Sequence, residues 1–378
     1  MSEYQYYEFL AIDRPLSECE MGDLRDISTR AHITATSFVN TYNWGDLKAR
    51  PIELMEKYFD AFVYVANWGT RRFMLRVPCR LLDAKDIASY RAGNALSFEA
   101  KGEHLILEFL SDRESGGVWE SGEEWLSSLV PVREDLLCGD LRCLYLGWLL
   151  GVQRDEIEDA AIEPPVPAGL ANFSAPLKSL ADFLRIDDSL VEVAAAASGP
   201  AATDAVSQSA LRQWIQSLPG SDKDDLLMRL AAGEGHHVRA EILRQFRLAH
   251  RVDQTFPDRE RRTVRELRAA AEERSAIRRR EAAERAAREK ARREEEETAL
   301  RNRQLDALAK RQEEAWREVD ALITTKQPQK YDKAVALLKD LRDLSARSAQ
   351  QDAFQRRLAE VRERHSKKST LIARINRL

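Results

Sequence analysis

The chain has 378 residues, enough for two or three domains with separate cores. Its most apolar uncharged run, Cys143 to Gln153, falls well short of the ~20 residues that cross a bilayer, which excludes a membrane helix, and MSEYQYYEF lacks the basic-then-apolar pattern of a signal peptide. The net charge of −4 conceals an asymmetry: residues 1–160 hold 17 basic and 28 acidic side chains, residues 161–234 hold 5 and 10, and residues 235–378 hold 37 and 25.

Tyr4 to Ala11 reads as a strand, and Ser17 with Glu20 three residues on is a capping box that opens a helix to Arg30. Ile33 to Tyr42 is strand-like, Pro51 to Phe59 a short helix, and Ala61 to Ala66 with Arg72 to Val77 two strands around a turn. A helix near Leu81 to Tyr90 leads into a hairpin, Ala95 to Ala100 and His104 to Leu110, then a loop at Ser115-Gly116-Gly117 and a helical region from Glu123 to Val152. Pro164 to Pro167 and the low-complexity Ala194 to Ala205 punctuate the middle, with helices expected at Leu177 to Phe183, Ser189 to Ala197, Leu211 to Leu218, Asp224 to Ala231 and Val238 to His250.

Asp258 to Gln327, bracketed by Pro257 and Pro328, contains neither Gly nor Pro and reads as one long helix or two nearly continuous ones. Its middle, Arg268 to Glu297, has Ile277 as its only large aliphatic residue. Pairs such as Glu281/Arg285, Glu284/Arg288, Glu289/Arg293 and Lys290/Glu294 support a solvated helix at roughly 0.2 to 0.5 kcal/mol each. Leu305, Leu308, Gln312, Ala315, Val319 and Leu322 then form a seam that asks for a helical partner. The Pro328 break lets the next helix fold back, so an intramolecular bundle and a monomer are expected. Leu337, Leu341 and Leu344, then Phe354, Leu358 and Val361, then Leu371, Ile375 and Leu378 supply its stripes.

The expected fold class is an α+β N-terminal domain followed by a mostly α-helical C-terminal half with a long charged helix and a small terminal helical bundle. The expected division is 1–160, 168–256, 257–327 and 328–378.

Phe38-Val39-x3-Asn43-Trp44-Gly45 is echoed by Phe62-Val63-x3-Asn67-Trp68-Gly69, twenty-four residues on. The plain reading makes these two structural turns with Trp lids on the core; the sharper one makes Asn43, Trp44, Asn67 and Trp68 line a shared groove beside Arg71 and Arg72. Arg278, Arg279 and Arg280 open a basic run that could follow a phosphate backbone, but Glu interrupts it at nearly every turn. Cys19, Cys79, Cys138 and Cys143 are too scattered for a disulfide framework and no pair has zinc-ligand spacing, so a reducing, cytoplasmic setting is expected. Phosphate loops, nucleophile elbows and zinc-protease motifs are absent. Cys79 with His104, the pair His236-His237, and Glu120, Glu123 and Glu124 all read as structural before catalytic or metal-binding.

The opening YYEFLAIDRPL and the tail YDKAVALLKDLRDLSARS through FQRRLAEVRERHSKKSTLIARI resemble segments of uncharacterised bacterial proteins. The tail is similar to the helical tails of some bacterial proteins with a SWIM-type zinc motif. The Cys-x-Cys and Cys-x-His of that motif are missing here, so the resemblance implies neither zinc nor a nucleic-acid role. No cofactor is expected. The function expected is a protein-protein interaction scaffold or adaptor subunit with a protein partner and no membrane. The alternatives are a nucleic-acid-contacting subunit using residues 259–293 and an enzyme of unknown type in the N-terminal domain.

Overall fold

The computed structural model describes residues 3–82, 84–112, 121–199, 208–249, 261–325 and 327–376; Ser115-Gly116-Gly117, Glu120, Asp258 and Leu378 lie outside these. The chain forms two compact units, residues 1–277 and 278–378.

Unit 1 is built on an antiparallel sheet, seven-stranded among the described residues: β1 (Gln5–Leu10), β2 (His32–Ile33), β3 (Ser37–Tyr42), β4 (Ala61–Ala66), β5 (Thr70–Pro78), β6 (Leu96–Lys101) and β7 (His104–Asp112), in the order β2-β3-β1-β4-β5-β7-β6. The strand expected over residues 33–42 is split, because the Thr34 hydroxyl accepts from Ser37 N at 3.0 Å and Thr34 N donates to Ser37 O at 2.9 Å, closing a tight turn. Alternation of side chains divides the core in two. Tyr7, Phe9, Phe38, Phe62 and Met74 pack under α1 (Glu18–Ile27) and α2 (Pro51–Lys57) with Leu24, Leu54 and Met55. Tyr6, Val63, Phe73, Leu75, Leu107 and Phe109 face the opposite helical layer.

After α3 (Ala84–Ile87), that layer contains α4 (Trp125–Leu129), α5 (Pro131–Leu137), α6 (Arg142–Gln153), α7 (Ala175–Leu184) and α8 (Asp188–Ala197), followed along the chain by α9 (Gln208–Ser217), α10 (Gly220–Ala231) and α11 (Gly235–Ala249). The apolar run noted in the sequence is α6, buried from Cys143 to Val152. It comes close to the sheet because a Cβ at Gly147 would lie 2.9 Å from Leu96 Cδ2. Among the described residues no helix is long and apolar enough to cross a membrane.

The long helix α12 (Val264–Lys310) begins inside the core of unit 1. Glu163, 3% exposed, accepts two bonds from Arg262, at 2.9 and 2.8 Å, and one from the Tyr145 hydroxyl. Backbone bonds run from Glu163 N to Arg262 O and from Val264 N to Ala161 O, both 2.9 Å, so the chain enters the helix as a short antiparallel bridge. Thr263 and Glu266 cap the first turn reciprocally, and Val264 and Leu267 are fully buried. Arg268 then donates to Val152 O at 2.8 Å and to Asp159 at 2.7 Å.

In unit 2 the same helix is exposed at every residue from Arg279 to Leu300. Glu289–Arg293 closes at 2.6 Å, and Glu281–Arg285, Glu284–Arg288, Lys290–Glu294 and Arg292–Glu296 lie between 3.7 and 3.9 Å. The expected long stretch proves to be two nearly continuous helices, because Arg311, at φ −125° and ψ 29°, separates α12 from α13 (Gln312–Thr324). Leu305, Leu308, Ala315 and Val319 are buried as the seam requires, but Trp316 and Ile323 join them while Gln312 and Leu322 are half-buried, because the break at Arg311 rotates the second helix. The seam is covered within the unit by α14 (Pro328–Arg347), α15 (Gln351–Arg364) and α16 (Ser369–Ile375), through Leu338, Leu341, Phe354, Leu358 and Ile375. Burying a carboxylate among these side chains is costly. Leu308→Asp is therefore expected to lower the melting of unit 2 without changing the particle mass in light scattering; a fall from twice the chain mass to one would mean that the seam pairs between copies.

Candidate functional site

The two ends of the sheet carry different chemistry. At one end, β3 and β4 flank β1 on either side, both antiparallel to it, with Phe38, Phe9 and Phe62 on one rung and Tyr42, Gln5 and Ala66 on another. The sequence echo is thus a parallel pair of strands with β1 between them, which sets the two Asn-Trp-Gly turns about 10 Å apart on one rim. Gly45 and Gly69 take φ of 77° and 111°, a left-handed region that favours glycine after each Trp. Both turns are tied to β1. Gln5, 2% exposed, donates its Nε2 to Gly45 O at 2.8 Å, while its Oε1 accepts from the hydroxyls of Tyr7 and Tyr64 at 2.8 and 2.9 Å. Asn67 accepts from Tyr4 N through its side chain at 3.1 Å and returns its own N–H to Tyr4 O at 3.0 Å.

The indoles are not core lids: Trp44 is 79% exposed and Trp68 43%. Asn43 is exposed beside Trp44. Arg71 and Arg72 do not join this rim. They are consecutive in β5 and so face opposite sides. Arg71, 2% exposed, donates to Phe183 O at 2.9 Å with its guanidinium 5.3 Å from the Trp125 ring centre, and burial brings its pKa down to about 10. Arg72 pairs with Glu108 at 2.7 Å.

The other end is ionic and closed. Asp60, 1% exposed, accepts from Ile12 N and Asp13 N at 2.6 and 2.9 Å and from Arg76 at 3.0 and 2.7 Å. Arg133 of α5 holds Asp13 with two bonds, 2.9 and 2.7 Å, and donates to Arg76 O at 2.8 Å. His237 of α11 brings its Nε2 to 3.1 Å from Asp13. Arg80 lies 3.3 Å from the other ring nitrogen and pairs with Glu234 at 2.8 Å. Burial alone would raise the Asp13 carboxyl; His237 and Arg133 more than offset it and hold the group well below the carboxylate range. The carboxylates of Asp13 and Asp60 and the guanidiniums of Arg76 and Arg133 are used on one another and on backbone, which makes this end a structural lock.

Cys79 and His104 do not form a nucleophile and base. Pro78 is the ladder partner of His104, so alternation places the thiol on the face of the helical layer and the imidazole on the other. Burial lowers His104 from its ordinary value. A cavity of about 370 Å³ lies between β7, α6 and α8, lined by Ser111, Gln153, Arg154 and Asp187. Its polar groups bond to backbone, Ser111 to Leu184 O at 2.9 Å and Arg154 to Leu110 O at 2.7 Å. Arg279 and Arg280 are exposed on α12 and Arg278 is half-buried. The sequence offered no sign of the Asp13–Arg133–His237 contact, whose members lie more than a hundred residues apart.

Because the Asp13 carboxyl is more acidic folded than the ~3.9 of an unfolded Asp, its contribution is fully present above that value and is lost as pH falls through the folded one. Asp13→Asn is therefore expected to lower stability at neutral pH and to flatten the acid limb of a denaturation-midpoint profile below about pH 4; an unchanged slope there would show that the pair is not formed. Comparison of the chain with family models, with curated proteins and with solved structures finds no match to any of them.

Proposed function

We propose that the protein is an interaction scaffold or adaptor whose partner docks on the aromatic rim of unit 1. The observation that carries this reading is the exposure of Trp44 at 79% on a turn that a buried glutamine and a glycine hold in one conformation. An indole in water gains nothing for the fold, yet it offers a large, rigid contact surface at low entropy cost, and Trp is among the residues that dominate binding energy at interfaces. Trp68, at 43% exposure, stands on the neighbouring turn and enlarges the same surface. The rooted helix α12 fits this role. It grows from the core of unit 1, and its middle needs neither a core nor a partner to stay helical. A nucleic-acid role is less favoured, since carboxylates interleave the arginines from Arg278 to Arg293 and several pair with them.

The test is affinity capture by the full chain from its native host. Wild type should retain a protein partner that nuclease treatment does not release. Trp44→Ala with Trp68→Ala should lose it, and Trp44→Ala alone should weaken it while altering stability by no more than about 0.5 kcal/mol, as expected for a surface position. Retention by the double variant, or a partner that nuclease removes and that salt displaces steeply, would reject the proposal.

A further inference from the structure

The exposed indoles of the rim stand among carboxylates that have no cation. Counted two residues on from the rung that joins Gln5 to Tyr42 and Ala66, Glu3 falls level with both Trp44 and Trp68. Asp46 follows the first turn. Glu123 adjoins the strand between the turns, because Gly122 abuts the Tyr6 ring so closely that a Cβ there would lie 2.4 Å from it. Asp46 and Glu123 act on opposite faces of the sheet. Burial and then Asp46 raise the Tyr7 hydroxyl to about 12, whereas burial and then Glu8 and Glu123 raise that of Tyr6, and these two tyrosines, consecutive in β1, face apart. Glu3, Asp46 and Glu123 are all exposed, and among the described residues none of them forms an ion pair. The arginines at this end are committed, Arg71 to Phe183 O, Arg72 to Glu108, and Arg185 to Gly69 O at 3.0 Å. Lys48, two residues past Asp46, is exposed and bonds to none of the three.

We infer that the protein docked on this rim presents an arginine to it, with the guanidinium stacked on an indole and a carboxylate beside it. This rests on the reading that the rim binds a protein, and adds the chemistry which that protein must carry. The face of Trp is the best aromatic surface for a cation, and the field of three carboxylates without a counter-charge draws one to the same place. The molecule uses this arrangement internally. Arg357 lies 5.3 Å from the Trp316 ring centre while it pairs with Glu313, one turn from that indole, and Arg71 lies at the same distance from Trp125. Arginine suits the rim better than lysine, because its weakly hydrated plane stacks on a ring while its fork still reaches a carboxylate. A segment rich in carboxylate or phosphate would meet like charge here.

The probe is a labelled synthetic peptide of alternating Arg and Gly, with versions in which Lys or Glu replaces Arg, titrated against the full chain by fluorescence anisotropy. The Arg peptide should bind saturably, the Lys peptide more weakly and the Glu peptide not at all. Glu3→Lys with Asp46→Lys and Glu123→Lys should weaken binding of the Arg peptide by at least about tenfold with an unchanged melting curve, since all three side chains face water, and Trp44→Ala with Trp68→Ala should weaken it as much. Glu295→Lys, on the exposed stretch of α12, should leave it unchanged, which separates the rim from a general attraction of cations to carboxylates. Absent binding, binding that survives either set of rim changes, an equal loss with Glu295→Lys, or equal affinity for the Arg and Lys peptides would overturn the inference. So would a doubled mass in light scattering that Trp44→Ala with Trp68→Ala returns to that of one chain, which would assign the rim to a second copy. Capture from the host separates this claim from the one it rests on. A partner lost by the Trp variant but kept by the triple Lys variant would reject the arginine and leave the rim as a docking surface, whereas a partner kept by both would reject the rim itself.

Discussion

The carboxylate of Glu163 is the constraint on which the long helix depends. Burying it uncompensated would cost several kcal/mol, and it is compensated only when Arg262 supplies two donors and Tyr145 a third. Burial and the carboxylate together push the Tyr145 hydroxyl well above its ordinary value, so it stays a donor throughout the neutral range. Satisfying this one group brings residues 161–163 and 262–264 side by side, which fixes where the capping box at Thr263 and Glu266 forms. The direction of the first turns of α12 follows from these contacts and from the burial of Val264 and Leu267.

Beyond the root, the energetics change in kind. In unit 1 the helix is held by a buried ion pair and by packing, whereas from Arg279 to Leu300 it is held by its own hydrogen bonds and by pairs such as Glu289–Arg293. At Leu305 packing resumes, now within unit 2. The sheet of unit 1 shows a similar division. Its Asp13–Asp60–Arg133 end uses its polar groups internally and joins α5 and α11 to the strands, while its Gln5–Gly45 end holds two aromatic turns against solvent.

Much of this was legible in the residues. Strand alternation, the Ser17–Glu20 capping box, the Pro328 break and the charge pairing of α12 are local signals, and each element they imply is present. The twenty-four-residue echo marked two equivalent turns, because β1 between them makes their strands equivalent. The misses share a cause: they concern which side of an element is covered. Arg71 and Arg72 were grouped by proximity although consecutive strand residues must face apart. The Trp lids failed because a Trp after a strand can fold back or point off the end, and the sequence does not choose. The Glu163–Arg262 root spans 99 residues of chain and leaves no periodic trace.

Amide hydrogen exchange along α12 in wild type and Arg262→Ala tests the central claim most directly. If the helix is rooted through Glu163, amides from about Leu267 to Arg274 exchange as slowly as the sheet in wild type, while those from Glu281 to Glu297 exchange much faster. Arg262→Ala, which leaves the buried carboxylate short of its donors, should then cost roughly 3 to 5 kcal/mol and release the root amides, with little change at Glu281 to Glu297. Equal protection along the whole helix, or root amides that Arg262→Ala leaves untouched, would contradict it.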